Sequence, residues 1–328
     1  MLFWVEEAKS DPIVSKVLTT KAFKRLKDIS FLGAIDYTND SGNSSRASRS
    51  RAHHSLNVAG LANYVATHRN YDATLKRHLV LAGLLHDIGH LPLSHSAEPV
   101  FKAKVGVGHH HLGEQLLRGE ITPGKELSGI LKNGVDIEFI VRLISGEVSE
   151  TDGGDLFSSA INIDTIDGII RSYGTIMDEP HDINRLAVAK ASFIDQNSGR
   201  YAILDAFWHM KDFVYKYIIH SKSGLLADFK ARAYFEDIQS SLNEMELLVS
   251  EKQWRKNYKC LFDQLSDQAD IPQPVIDFTQ RHYVIFDSYR GANRYRVEKE
   301  VSQMPLDEPT RARFPEQYSF RLERAQLV

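Results

Sequence analysis

Residues 79–87 read Leu-Val-Leu-Ala-Gly-Leu-Leu-His-Asp. With the residues before them they predict a helix over 73–86 that is apolar round most of its circumference, and so buried on most sides. That helix closes on two ionisable groups, His86 and Asp87. In apolar surroundings such a pair is costly unless it is paired or bound to a metal. A divalent cation meets the need, because imidazole nitrogen and carboxylate oxygen both coordinate it. Pro92 stops any continuation of the helix.

Upstream, Ser55–His68 carries Leu56, Ala59, Leu61, Ala62 and Val65 at helical spacing. This helix opens just after Arg51-Ala52-His53-His54. If the two helices pair antiparallel, His54 at the start of one lies beside His86 and Asp87 at the end of the next. A fourth ligand is then expected from a distant helix. The run Asn162-Ile163-Asp164-Thr165-Ile166-Asp167 offers two carboxylates one helical turn apart. A His-Asp dipeptide alone is a weak signal; this company gives it weight.

Helical spacing dominates the rest of the first half. Further helices are expected over 14–32, 111–118, 125–131, 137–145 and 156–173. Residues 39–50 are rich in Ser, Asn and Arg and read as a loop. Leu186–Ile194 and Arg200–Leu204 read as strands about a turn at Asp195–Gly199, a β hairpin over 186–204. Helices resume over 205–220 and 225–249, with a short strand at Tyr283–Phe286 and a Pro- and Arg-containing tail from Pro305. The fold class is mainly α.

The 328 residues are 42% apolar and 25% charged, enough for a core of ordinary size without disulfides. A formal net charge of −3 argues against a general nucleic-acid coat. Two local basic stretches remain candidates for a backbone groove: Arg46, Arg49, Arg51 and Arg290, Arg294, Arg296. The lone cysteine, Cys260, fits a reducing compartment and reads as a small core residue. The start of the chain lacks the features of a signal peptide, and no segment approaches a membrane span. The expected location is the cytoplasm, with no membrane partner.

The runs FKRLKDISFLGAIDY (23–37), RAHHSLNVAGLA (51–62), LAGLLHDIGHLPLSH (81–95) and NIDTIDGIIRS (162–172) together resemble the HD superfamily of metal-dependent phosphohydrolases. More narrowly, they resemble the branch with the dGTP triphosphohydrolases and the SAM-and-HD-domain dNTPase. The resemblance implies an HD-domain helical bundle over 1–222, including the 186–204 hairpin, with a C-terminal helical extension over 223–328 packed on it. It also implies four metal ligands, His54, His86, Asp87 and Asp164, with Asp167 the rival to Asp164. The ion expected is manganese, iron, zinc or nickel, with magnesium accompanying the substrate as a further option.

The same resemblance points to Arg51 as a phosphate contact and to Lys211 as a second. His90, His95 and His110 become candidates for the catalytic pocket, and Glu98 a carboxylate that orients His95. His110 is chosen from the run His109–His111. Histidine titrates near neutrality and suits proton transfer. On a continuous helix His90 would share a face with His86. Three positions depart from the branch: Thr165, Gly168 and Ser172 stand where dNTP triphosphohydrolases carry Lys, Tyr and Asp. That weakens the expected grip on a dNTP more than it touches the metal chemistry.

Three functional classes follow. The first is a nucleotide phosphohydrolase, with dNTP triphosphohydrolysis as its narrower form. The second is a metal-dependent phosphodiesterase or exonuclease on single-stranded nucleic acid. The third is a non-catalytic nucleotide sensor that keeps the fold without turnover. A homo-oligomer is expected from the family.

Overall fold

The computed structural model describes residues 1–38, 49–177, 182–242 and 246–265. Arg46, Tyr283–Phe286, Arg290, Arg294, Arg296 and the tail from Pro305 lie outside the described residues, as does most of the 39–50 loop. Among the described residues the fold is helical, with no strand.

The chain begins with three short helices, α1 (Leu2–Lys9), α2 (Pro12–Val17) and α3 (Lys21–Arg25). The single helix expected over 14–32 is therefore broken. Asp11 accepts from the Ile13 and Val14 N–H groups, and Thr20 from the Phe23 N–H. Each such cap starts a new helix and so interrupts the old one.

At the centre lie α4 (Arg51–His68), capped by Ser50, and α5 (Ala73–Leu85), capped by Asp72. They pair antiparallel at close range. A Cβ placed on Gly83 would lie 3.1 Å from the Val58 carbonyl oxygen and 3.2 Å from the Ala59 nitrogen. Only a residue without a side chain lets two helix backbones approach so closely. This crossing sets the N-terminal turn of α4 against the C-terminal end of α5.

Shorter helices wrap that pair: α6 (Glu98–Val105), α7 (His109–Arg118), α8 (Gly124–Leu131), α9 (Ile137–Ile144) and α10 (Asp155–Ser158). Next comes α11 (Ile163–Tyr173), whose first turn is fixed by Asn162 Oδ1 accepting from the Thr165 N–H at 2.7 Å.

The expected β hairpin over 186–204 is helical instead, forming α12 (Arg185–Phe193) and the start of α13 (Arg200–Val214). Asn184 Oδ1 accepts from the Leu186 and Ala187 N–H groups and so launches α12. Ala187, Ala189 and Ala191 then favour continuation. Buried Leu204, Phe207, Trp208 and Val214 give α13 one apolar stripe at helical spacing. A π turn over Tyr215–Ile219 follows.

The described part of the C-terminal segment adds α14 (Lys222–Asp237), α15 (Glu251–Asn257) and α16 (Lys259–Leu265). These helices share one continuous apolar core with the rest, running from Ala8 to Leu265. Phe101, Phe235 and Trp254 meet in it, with ring centroids 4.9 to 5.3 Å apart. Cys260 is exposed and not in this core, because α16 buries Leu261, Phe262 and Leu265 on its other side. No helix among the described residues is long and apolar enough to cross a membrane.

Candidate metal centre

Three helices bring four donor side chains together: His54, His86 and Asp87 are mutually close enough to share one ion, and Asp164 Oδ1 lies against the two imidazoles. His54 stands in the first turn of α4, His86 and Asp87 directly follow α5, and Asp164 is in the first turn of α11. His54 Nε2 lies 3.0 Å from Asp164 Oδ1, 3.2 Å from His86 Nε2 and 3.7 Å from Asp87 Oδ2. His86 Nε2 lies 3.5 Å from Asp87 Oδ1 and 3.6 Å from Asp164 Oδ1. Donors about 2.1 Å from a common ion are separated by about 3.0 Å at right angles and about 3.4 Å at tetrahedral corners. The spacings found here match those edges.

The outer nitrogens of both imidazoles are already committed. His54 Nδ1 meets Asp167 Oδ2 at 2.6 Å, and His86 Nδ1 meets the Gly83 carbonyl at 2.8 Å. Both acceptors call for a proton on Nδ1, which leaves the Nε2 lone pairs facing each other across the site. A cation between them resolves that arrangement, and imidazoles held in this way are oriented as metal ligands are. The two carboxylates add the negative charge to match a divalent ion. The surrounding charge favours a cation at this point: burial opposes protonation of His86, yet Asp87 and Asp164 raise its pKa to about 9.

Asp167 is therefore set apart from Asp164. It is fully buried and accepts from Asn57 Nδ2 at 3.0 Å, Arg171 Nε at 2.8 Å and Arg185 Nε at 2.5 Å, besides facing His54. Against the cost of burial, Arg171, His54 and Arg185 hold it well below the usual carboxylate range. Asp164 is exposed towards the cleft.

The remaining candidates surround an open cleft of about 1110 Å³ in front of these donors. Arg51 lines it, buried, with Nη1 donating to Asp87 Oδ2 at 2.5 Å, Nε to Ser94 Oγ at 2.7 Å and Nη2 to the Phe31 carbonyl at 3.0 Å. Its clearest role in the structure is thus to hold the Asp87 carboxylate. His90 is buried, with Nε2 3.2 Å from Asp87 Oδ1. Burial, Arg51 and His109 hold its pKa well below the ordinary histidine value. It lies on the turn after α5, not on a continuation of that helix, which ends at Leu85.

His95 is half-exposed on the cleft, 3.4 Å from Glu98 Oε2. Glu98 Oε1 accepts from the backbone N–H of His109 at 2.8 Å and faces its Nδ1 at 2.6 Å. The His109 ring stacks on His90 with centroids 3.9 Å apart. So it is His109, which the sequence reading passed over, that joins Glu98 and His90. His110 lines the cleft behind it, and burial with neighbouring His109 lowers its pKa. Lys211 also lines the cleft, with Nζ over the Trp208 ring at 4.2 Å. Lys102 is a second lysine on the cleft wall that sequence reasoning did not single out. Thr165, Gly168 and Ser172 line it too, leaving that wall with small side chains.

Comparison with known proteins gives relatives with uninformative names. The chain is 31% identical to the uncharacterized protein YwfO of Bacillus subtilis over 214 residues, covering 60% of this chain and 45% of that one. It is 33% identical to the uncharacterized protein MG461 of Mycoplasma genitalium over 139 residues, 39% of this chain and 30% of the relative. The MG461 homolog of Mycoplasma pneumoniae is 31% identical over 193 residues, 50% and 43% of the two chains. The chain thus spans less than half the length of each of these relatives. The family model described as HD domain matches residues 51–153, which include Arg51, His54, His86, Asp87 and the cleft histidines. Over that segment the chain is similar to the HD domain family.

Proposed function

We infer that the protein is a metal-dependent phosphohydrolase acting on nucleotides. The observation that carries this reading is the convergence of His54, His86, Asp87 and Asp164 with both Nδ1 atoms already bonded outward. Those four side chains would hold a divalent transition ion. When bound, such an ion polarises a phosphoryl oxygen and lowers the pKa of water.

The chain's own residues supply the rest. Arg51 and His90 keep Asp87 in place from its two oxygens. His95, on the cleft surface and next to Glu98, is placed to give a proton to a leaving oxygen. Glu98 orients His95 from one oxygen and His109 from the other. Lys102 and Lys211 bring positive charge to the cleft wall, where the outer phosphates of a nucleotide would sit. Phosphoryl transfer depends on such positioning and charge neutralisation more than on covalent chemistry.

The small side chains of Thr165, Gly168 and Ser172 support a second reading. They leave the cleft broad enough for the end of a single nucleic-acid strand, so phosphodiester cleavage is the alternative. Deoxynucleoside triphosphates, nucleoside monophosphates and a labelled single-stranded oligonucleotide, each offered with manganese, separate the two. Release of tripolyphosphate or phosphate from nucleotides supports the first reading, and shortening of the oligonucleotide the second. Asp87→Ala is expected to lose bound metal together with any turnover; a variant that keeps both would remove the central claim.

A further inference from the structure

We propose that Glu251, the first residue of α15, is a positioning residue for the metal centre, acting through Arg51; the proposal rests on the metal-centre reading above. Glu251 lies far outside the matched HD segment, yet its side chain is buried beside the site. Oε2 accepts from the Leu93 N–H at 2.9 Å, the Ser30 N–H at 3.2 Å and the Ser30 hydroxyl at 2.9 Å. The Tyr37 hydroxyl donates to Oε1.

The two segments it ties together form the socket of Arg51. Ser94 Oγ donates to the Ser30 carbonyl at 2.8 Å and accepts from Arg51 Nε at 2.7 Å. The Phe31 carbonyl, next to Ser30, accepts from Arg51 Nη2 at 3.0 Å. Arg51 Nη1 then reaches Asp87. One carboxylate thus fixes both walls of the socket, and the socket fixes the guanidinium that holds a metal-facing oxygen.

The backbone at one wall needs such a hold. Leu93 and Ser94 have φ of 58° and 46°, two successive side-chain-bearing residues in the left-handed region. Backbone of this kind persists only where its surroundings over-determine it. The same turn leads directly to His95.

A purely structural role for Glu251 is the weaker explanation. Burying a carboxylate is costly, and an apolar residue fastens a helix without that cost. Trp254, one turn on in α15, is fully buried and already does so. What an apolar residue cannot do is accept from Leu93 and Ser30 at once.

The test is manganese titrated into the metal-stripped full chain, with the melting midpoint recorded alongside. Glu251→Asp keeps the charge and shortens the reach by one methylene. It should weaken manganese affinity by roughly three- to tenfold, less than the ten- to hundredfold typical of groups directly bonded to a ligand. Glu251→Gln should stay within about twofold of wild type, because its amide oxygen still accepts from Leu93 and Ser30 while its NH2 donates to the Tyr37 oxygen. Leu261→Ala, a core truncation in α16, should lower the melting midpoint without moving the affinity. Wild-type affinity in Glu251→Asp overturns the proposal alone. So does an equal loss in Leu261→Ala, since affinity would then follow stability. A wild-type chain that takes up no manganese overturns the metal-centre reading, and this proposal with it.

Discussion

Asp167 stands one hydrogen bond behind the candidate metal centre. Its carboxylate orients His54 and in turn is held by Asn57, Arg171 and Arg185. Asp167→Asn keeps the shape and removes the charge, so manganese affinity should fall by roughly ten- to hundredfold. Competition against a coloured chelator measures this, and an unchanged affinity would remove Asp167 from that role. Asp87, Asp167 and Glu98 all titrate below their ordinary values of 3.8 and 4.5 despite burial. A group depressed on folding gives stability that is complete above its unfolded pKa and is lost as pH falls towards the folded one. The same sign holds for His90 and His110, whose lowered pKa values cost stability below their ordinary 6.5, so the melting midpoint should fall as pH drops below about 6.5 and more steeply below about pH 4. A midpoint that rises on acidification would contradict this. Spacing in the sequence offered Asp164 and Asp167 equally, since both lie on one face of a helix; depth along α11 separates them. The run His109–His111 is similar. Three successive histidines point about 100° apart on a helix, and only the position of Glu98 shows that His109 is the one engaged.

At the scale of elements, the α4–α5 crossing controls how far apart the donors stand. Gly83→Val would push a branched side chain into the Val58 carbonyl and the Ala59 nitrogen. The expected cost is about 1–3 kcal/mol in urea unfolding. The same wedge should weaken manganese binding, because His54 and His86 belong to the two different helices, just beyond their crossing. Gly83→Val matching wild type in both measurements would show that the crossing is looser than described. Both central helices were legible from their apolar spacing, and so was the meeting of their ends. The 186–204 segment was not. Its β-branched and aromatic residues around an Asp-Gln-Asn-Ser-Gly turn resemble strands locally. The outcome was set instead by the Asn184 cap and by the neighbouring helices that α12 and α13 bury against. The break between α10 and α11 escaped notice for a similar reason, because the apolar pattern runs on through a residue that proves to be a cap, Asn162.

For the molecule as a whole, the segment after residue 222 braces the turns that carry the site. Besides Glu251, Asp228 of α14 accepts from the Ser96 hydroxyl at 2.6 Å, on the turn that carries His95. Neither acid had a signature in the sequence, where a single Glu or Asp reads as surface. Burial of such a residue is a property of the assembled core and becomes visible only there. The convergence of His54, His86, Asp87 and Asp164 has a consequence of another kind. An ion held by all four would clasp the neighbouring α4 and α5 to α11, which is distant along the chain, as a crosslink does, while remaining exchangeable. By mass action, free metal at a hundred times its dissociation constant adds about 2.7 kcal/mol to folding. Dialysis against EDTA should then lower the melting midpoint by several degrees, and restored manganese should recover it. The share of chains standing folded would track the supply of one trace nutrient, so that scarcity would thin out the protein itself before it slowed any single molecule.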